Sequence, residues 1–155
     1  MNFSTKELQQ VVRDAELGRR YADKLVKVQT REGQETWVLV HVEVQGAAQA
    51  GFAERMYVYH YRLFDRYRVD IVSRAVLADD TPGFRPRSDR RCRWGCHVFF
   101  RFPVQKLLDW HARWDALEAS PNPFGVVVMA HLKAQESKDG ASRKHWKWRL
   151  TRLLY

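Results

Sequence analysis

Apolar and polar residues recur with two different periods along this chain, and the change of period predicts where strands give way to helices. Between residues 36 and 45 valine occupies every second position, which is typical of a β-strand. From 52 to 67 the apolar positions are spaced three and four apart, which indicates an amphipathic helix. The sequence predicts further strands at 21–29, 69–78 and 96–102, and further helices at 6–17, 103–118, 124–135 and 144–154.

Turn-forming residues separate these elements. Arg31-Glu32-Gly33-Gln34 predicts a hairpin turn between the first two strands. The segment 79–91, with Pro, Gly, Ser, Asp and several arginines, predicts a long basic loop. Strands interrupted by one helix and followed by helices predict an α/β layered domain with a small mixed sheet. A length of 155 residues suits a single domain over 1–155.

The charge balance favours an anionic partner. The chain carries 27 Lys and Arg against 18 Asp and Glu, a formal net charge of +9. Nucleic acid is the commonest polyanion that such a surplus binds. An anionic membrane surface and ordinary solubility charge are the alternatives. Two basic groups stand out: Arg85, Arg87, Arg90, Arg91 and Arg93; and Arg143, Lys144, Lys147, Arg149 and Arg152, interleaved with Trp146 and Trp148.

Cysteine usage and the polar start of the chain predict a cytoplasmic protein with free thiols. Residues 1–20 are polar and charged, unlike a secretory signal, and no apolar stretch is long enough to span a bilayer. Cys92, Cys96 and His97 also suggest zinc. However, the CxxxC spacing is unusual for zinc and no second cysteine pair completes four ligands.

The candidate chemistry lies on the predicted hairpin. Alternation along 37–45 places Glu43 and Gln45 side by side on one face. Counting back through the turn puts Asp23 opposite position 42 or 43, with Cβ atoms roughly 5 Å apart. Two carboxylates at that distance repel, which favours a divalent cation, and oxygen ligands suit Mg²⁺ or Mn²⁺. A solvated hairpin with incidental charges is the alternative.

The pattern of Asp23, a turn, and then Glu43-Val44-Gln45 resembles the active site of the PD-(D/E)XK nuclease superfamily. The fuller resemblance is to its branch of bacterial recombination-promoting nucleases of the transposase type, and it is carried by 21–26, 41–45, 52–59, 75–80, 102–108 and 146–150. The resemblance implies a metal-dependent DNA endonuclease that hydrolyses phosphodiester bonds. Asp23, Glu43 and the main-chain carbonyl of Val44 would then bind Mg²⁺ or Mn²⁺, and Gln45 would be catalytic.

The sequence departs from the superfamily in two respects. Gln45 stands where the wider superfamily has Lys, although Gln is usual in this branch. Gln can orient water but cannot take up its proton, so the base is left open between metal-bound hydroxide, a substrate phosphate and another side chain. Lys27 is one candidate, with a plain surface lysine as the alternative. The chain also looks shorter at both ends than its relatives.

Further residues are predicted to contact nucleic acid or to support the site. Arg55 and Tyr59 lie four apart on the predicted helix and share a face. His41 is either a second partner of the site or a buried structural histidine. The predicted nucleic-acid contacts are Lys27, Arg55, Tyr59, Arg87, Arg90 and Arg91. The alternatives to an active nuclease are an inactive DNA-binding remnant and a protein-interaction module that could form a homodimer, given six tryptophans.

Overall fold

A computed structural model describes residues 23–29, 33, 35–137 and 139–151 of the chain, and for 23–29, 35, 36, 143, 147 and 149–151 it describes the main chain only. The strands are β1 Asp23–Gln29, β2 Glu35–Gln45, β3 Asp70–Leu77, β4 Ser88–Arg93, β5 Cys96–Arg101 and β6 Val104–Lys106. The helices are α1 Phe52–Tyr67, a 3-10 helix Leu107–Arg113, α2 Trp114–Glu118, α3 Pro123–Glu136 and α4 Gly140–Thr151. The predicted helix at 6–17 lies outside the described residues.

The protein is a mixed α/β structure with a small sheet, which confirms the coarse fold class expected from the sequence. Four strands form one sheet in the order β1-β2-β3-β6, and β4 pairs only with β5. β1 and β2 form an antiparallel hairpin. Helix α1 connects β2 to β3, and contacts from His41 to Ser73 and from Gln45 to Ala78 advance in the same chain direction. These contacts indicate that β2 and β3 run parallel, with α1 as the crossover.

The chain divides into two compact units. Of the described residues, the first comprises those within 23–44, 49–76 and 86–104, and the second comprises those within 45–48, 77–85 and 105–151. The chain crosses from one unit to the other five times, so neither unit is a continuous segment.

Helix α1 supplies much of the core of the first unit. Its buried residues Phe52, Met56 and Leu63 lie on one face, as the sequence pattern predicted. Phe102 packs edge-on against Phe52, with ring centroids 6.2 Å apart. Burying such a side chain stabilises the fold by about 1.5–3 kcal/mol, so this face fixes α1 in place.

The second unit has its own core at the contact of α2 and α3. Leu117, Met129 and Leu132 are buried there, and Trp110 and Trp114 pack against them. Asn122 caps α3 by accepting a hydrogen bond from the main-chain N–H of Phe124 at 3.0 Å, with Pro123 in the first turn.

Two sequence predictions of local structure are wrong. The end of the predicted loop 79–91 is strand, because β4 pairs with β5 from Ser88 onward. The predicted helix 103–118 is interrupted. The carbonyl of Pro103 accepts a hydrogen bond from Ala75, an extended arrangement that continues into β6, and a 3-10 helix precedes α2.

Candidate functional site

From Leu39 to Gln45 the odd-numbered residues of β2 are buried, and α1 contributes two side chains to that face. His41 and Glu43 are both buried there. Tyr59 meets His41 edge-on with ring centroids 5.7 Å apart, and Arg55, one turn earlier on α1, faces Glu43. The four-residue spacing of Arg55 and Tyr59 therefore turns both toward the face that carries the candidate chemistry.

Glu43 is a carboxylate with only 4% of its surface exposed. Its Oε1 atom lies 3.5 Å from Nη2 of Arg55. The same guanidinium donates from Nη1 to Oε1 of Gln49 at 2.8 Å and lies 5.1 Å from the ring centre of Phe52. A buried carboxylate is costly unless a cation compensates it, and these contacts hold the Arg55 charge in place to do so.

Two histidines share one serine next to this pair. Nδ1 of His41 lies 3.2 Å from Oγ of Ser73, and Nδ1 of His60 lies 3.1 Å from the same oxygen. A hydroxyl has one proton, so it donates to at most one of the two rings and must accept from the other. Burial, and then repulsion from His60, lowers the pKa of His41 from 6.5 to about 4, so its ring is neutral at pH 7.

This lowered pKa predicts that acid destabilises the fold. Because the folded state resists protonating His41, the unfolded chain binds the proton more strongly as the pH falls from 6.5 to about 4. At 1.36 kcal/mol per pKa unit, His41 should contribute a loss of about 3 kcal/mol in the free energy of unfolding across that window. Urea denaturation at pH 7 and pH 4, with EDTA present, measures this loss.

The matched variants for this prediction are His41→Gln and His97→Gln. His97 is exposed, so its replacement should leave the pH dependence unchanged. His41→Gln should remove the part of the loss that His41 contributes, about 3 kcal/mol. The prediction is wrong if His41→Gln and the parent protein lose the same stability between pH 7 and pH 4.

The observed register moves Asp23 by one or two positions from its predicted place. Asp23 pairs with His41, not with position 42 or 43. Position 43 is therefore diagonal to Asp23, at roughly 7–8 Å. Lys27 pairs with Trp37, six positions from Glu43 along β2, which is about 20 Å. The hairpin thus brings Asp23 toward Glu43 and does not bring Lys27 there.

The end of β2 turns Val44 outward and Gln45 inward. Val44 is exposed and Gln45 is buried. The side-chain amide of Gln45 donates from Nε2 to the carbonyl of Ala47 at 2.6 Å, which fixes its orientation within the second unit. A fixed amide can orient a water molecule, but it supplies no base.

The predicted basic residues fall into different environments. Arg87 and Arg90 are exposed. Arg91 instead binds Asp89 through Nε at 2.8 Å and Glu54 through Nη2 at 3.2 Å. Through these ion pairs Arg91 connects β4 to α1.

The remaining basic positions are partly engaged or outside the described side chains. Arg85 makes two hydrogen bonds to Asp109, at 2.6 and 2.9 Å. In α4, Lys144 is exposed, and Trp146 packs against Trp114 with ring centroids 6.0 Å apart. Arg143, Lys147, Arg149 and Arg152 lie outside the side chains that the structure describes.

No zinc arrangement is formed by the two cysteines. Both are free and exposed. Cys92 pairs with His97 across the hairpin, whereas Cys96 pairs with Arg93 on the opposite face. Within the described ranges, no three His, Cys, Asp or Glu side chains meet to hold a metal ion.

The oxygen donors at the end of β2 have the chemistry that a hard cation requires. Glu43 supplies a carboxylate and Val44 a main-chain carbonyl, with Asp23 diagonal across the ladder. Among the described helices, none is long and apolar enough to cross a membrane. Searches against protein-family models, curated proteins and solved structures found no match to this chain.

Proposed function

We propose that this chain is a metal-dependent DNA endonuclease of the PD-(D/E)XK type, which hydrolyses phosphodiester bonds in recombination or transposition-like events. One observation carries the proposal: a buried carboxylate, Glu43, sits near the end of a central strand beside the guanidinium of Arg55. A carboxylate suits a hard cation and a guanidinium suits a phosphate, so the pair combines the two charges that phosphodiester cleavage uses.

The order of elements supports the same proposal. An antiparallel hairpin carries Asp23 on its first strand and Glu43 on its second. Helix α1 then crosses over to β3, which lies beside β2. The resemblance noted in the sequence implies this hairpin and this pair of acids.

Each residue has a proposed role. Asp23, Glu43 and the carbonyl of Val44 would hold Mg²⁺ or Mn²⁺, and the ion would supply activation of water and stabilisation of negative charge on the scissile phosphate. Arg55 would bind a phosphate oxygen through its fork of N–H donors. Gln45 would orient the attacking water. Tyr59 keeps His41 packed beneath the site, and the neutral His41 ring adds no competing positive charge.

The second candidate is a nucleic-acid-binding protein without cleavage activity. The Arg55 guanidinium already compensates Glu43, and Gln45 replaces the lysine of the wider superfamily. Such a protein would bind DNA in a salt-dependent manner and leave it intact.

Cleavage of supercoiled plasmid tests the proposal. We expect nicking with Mg²⁺ or Mn²⁺, none with EDTA, and at least a tenfold lower rate in Asp23→Ala, because a metal ligand is removed. Asp70→Ala is the matched control, since Asp70 also begins a strand and is exposed. Divalent-dependent cleavage that persists in Asp23→Ala would overturn the assignment of the site, and binding without cleavage would favour the second candidate.

A further inference from the structure

The tip of the β4–β5 hairpin presents a tryptophan that the proposed cleavage site does not use. Trp94 is 98% exposed. It and Gly95 form the two-residue connection, and their φ angles are 49° and 83°. Two positive φ angles are what a type I′ hairpin turn requires, and Asn or Gly normally supplies the first. A bulky aromatic residue there has a strained main chain and a solvated ring, which is costly unless the ring serves a purpose.

The two faces of the hairpin differ in what they contact. Arg91 packs over the ring of Tyr57 at 4.9 Å, and Phe100 lies 4.7 Å from His60 between ring centroids. This inner face is anchored on α1. The cross-strand pairs Arg90–Phe99, Cys92–His97 and Ser88–Arg101 lie on the other face, because side chains alternate along each strand.

This outer face is basic and aromatic. Arg90 and Arg101 are exposed, and Phe99 is 58% exposed. The guanidinium of Arg90 stacks on the ring of Phe99 at 4.4 Å. Residues 88–101 contain four arginines and a single aspartate, Asp89. Guanidinium groups bind phosphate, and exposed rings stack on bases that are not already stacked in a duplex.

We propose that the outer face of the β4–β5 hairpin binds unpaired nucleic acid, with Trp94 stacking on a base at the tip and Arg90 and Arg101 contacting phosphates farther along the bound strand. The proposal names a substrate class for the proposed nuclease, so its link to cleavage rests on that function. The hairpin is joined to α1 through Arg91, whose Nη2 atom lies 3.2 Å from Glu54, one residue before Arg55. A strand held on the hairpin is thereby coupled to the helix that faces Glu43.

A nucleic acid fits this face better than a membrane does. Interfacial segments bury a continuous apolar face among lipid chains. Here the guanidinium of Arg90 covers the ring of Phe99, so inserting that ring would carry a charge into the acyl region. The same stacked pair needs no rearrangement to meet a base and a phosphate.

Fluorescence anisotropy with a labelled oligo-dT strand, in EDTA, tests the proposal. Trp94→Asn removes the ring and keeps or improves the turn, so we expect about tenfold weaker binding with the hairpin intact. Trp94→Phe should bind within about threefold of the parent protein because it can still stack. Phe124→Ala is the matched control, since Phe124 is 71% exposed on α3, outside the hairpin.

The charge component has a separate measurement. In Arg90→Ala/Arg101→Ala, the slope of log affinity against log salt should fall by about 0.7 for each phosphate contact removed. Arg62→Ala, an exposed arginine of α1, should leave that slope unchanged. Trp94→Asn should weaken binding without changing the slope, because it removes no charge.

The outcomes separate this inference from the proposed function. Unchanged oligo-dT affinity in Trp94→Asn overturns the inference, even if plasmid is cleaved. If Trp94→Asn loses the same affinity for duplex DNA as for single-stranded DNA, the preference for unpaired bases is overturned. If Trp94→Asn loses binding to phosphatidylglycerol vesicles while its oligo-dT binding stays intact, the partner of the hairpin is a membrane and the inference is overturned. If the parent protein does not cleave DNA, but Trp94→Asn still weakens oligo-dT binding, the inference is supported and the nuclease function is not.

Discussion

Replacing Glu43 with Gln is expected to lower divalent-dependent cleavage by about 10³-fold while the fold is retained. Gln has the size of Glu but no charge, so the proposed metal loses a ligand. Metal stabilisation of a transition state is worth several kcal/mol, and each 1.36 kcal/mol is a factor of ten in rate. Single-turnover cleavage of labelled DNA measures the effect.

The matched control for this variant is Glu118→Gln, which removes a carboxylate from an exposed position on α2. It should cleave at the parent rate. Circular dichroism and thermal melting establish whether Glu43→Gln is folded. We expect it to fold, because Arg55 also has a hydrogen bond to Gln49. Cleavage by Glu43→Gln within threefold of the parent protein would remove Glu43 from the mechanism.

The second large effect is expected at a buried ion pair in the second unit. Lys106 and Asp79 are almost fully buried, and Nζ of Lys106 lies 2.6 Å from Oδ1 of Asp79. The same ammonium donates to the carbonyls of Thr81, at 2.9 Å, and Phe84, at 3.5 Å. Lys106→Met would leave the Asp79 charge buried without its cation, so the free energy of unfolding should fall by about 3–5 kcal/mol.

Two further variants separate loss of the pair from loss of packing. Lys106→Met combined with Asp79→Leu should recover most of that stability, because neither buried charge remains. Asp65→Asn disrupts an exposed ion pair with Arg68 and should cost less than about 1 kcal/mol. Denaturation by urea measures all three proteins. A loss below about 1 kcal/mol in Lys106→Met would show that the pair contributes little to stability.

The sequence predicted the elements whose periodicity is strong. β2, α1, β3, β5 and α3 were all placed within one to two residues of their observed bounds. In each, the apolar spacing follows the burial that tertiary packing requires, as with Phe52, Met56 and Leu63 on α1. Strand β4 was missed because its inner face uses arginine. Arg91 covers Tyr57 with its guanidinium, so the strand has no apolar alternation to reveal it.

The candidate site was predictable in part. The spacing of Arg55 and Tyr59 indicated one face of α1, and both residues reach β2. The pairing of Asp23 was misplaced because counting through a turn of undefined type leaves the register open, and the ladder aligns it with His41. The shared hydroxyl of Ser73 could not be foreseen, since it depends on which residues of β3 lie beside β2. For the β4–β5 hairpin, the Trp94-Gly95 pair was the turn signal available in the sequence.

Binding of Mn²⁺ to the intact protein and to Glu43→Gln tests directly for a metal site at Glu43, because it does not depend on cleavage. Titration followed by electron paramagnetic resonance measures the free ion in each sample. We expect the parent protein and Glu118→Gln to bind Mn²⁺ with the same affinity, and Glu43→Gln to bind it at least tenfold more weakly. Equal affinity in the parent protein and Glu43→Gln, or no binding by either, would contradict a metal site at Glu43.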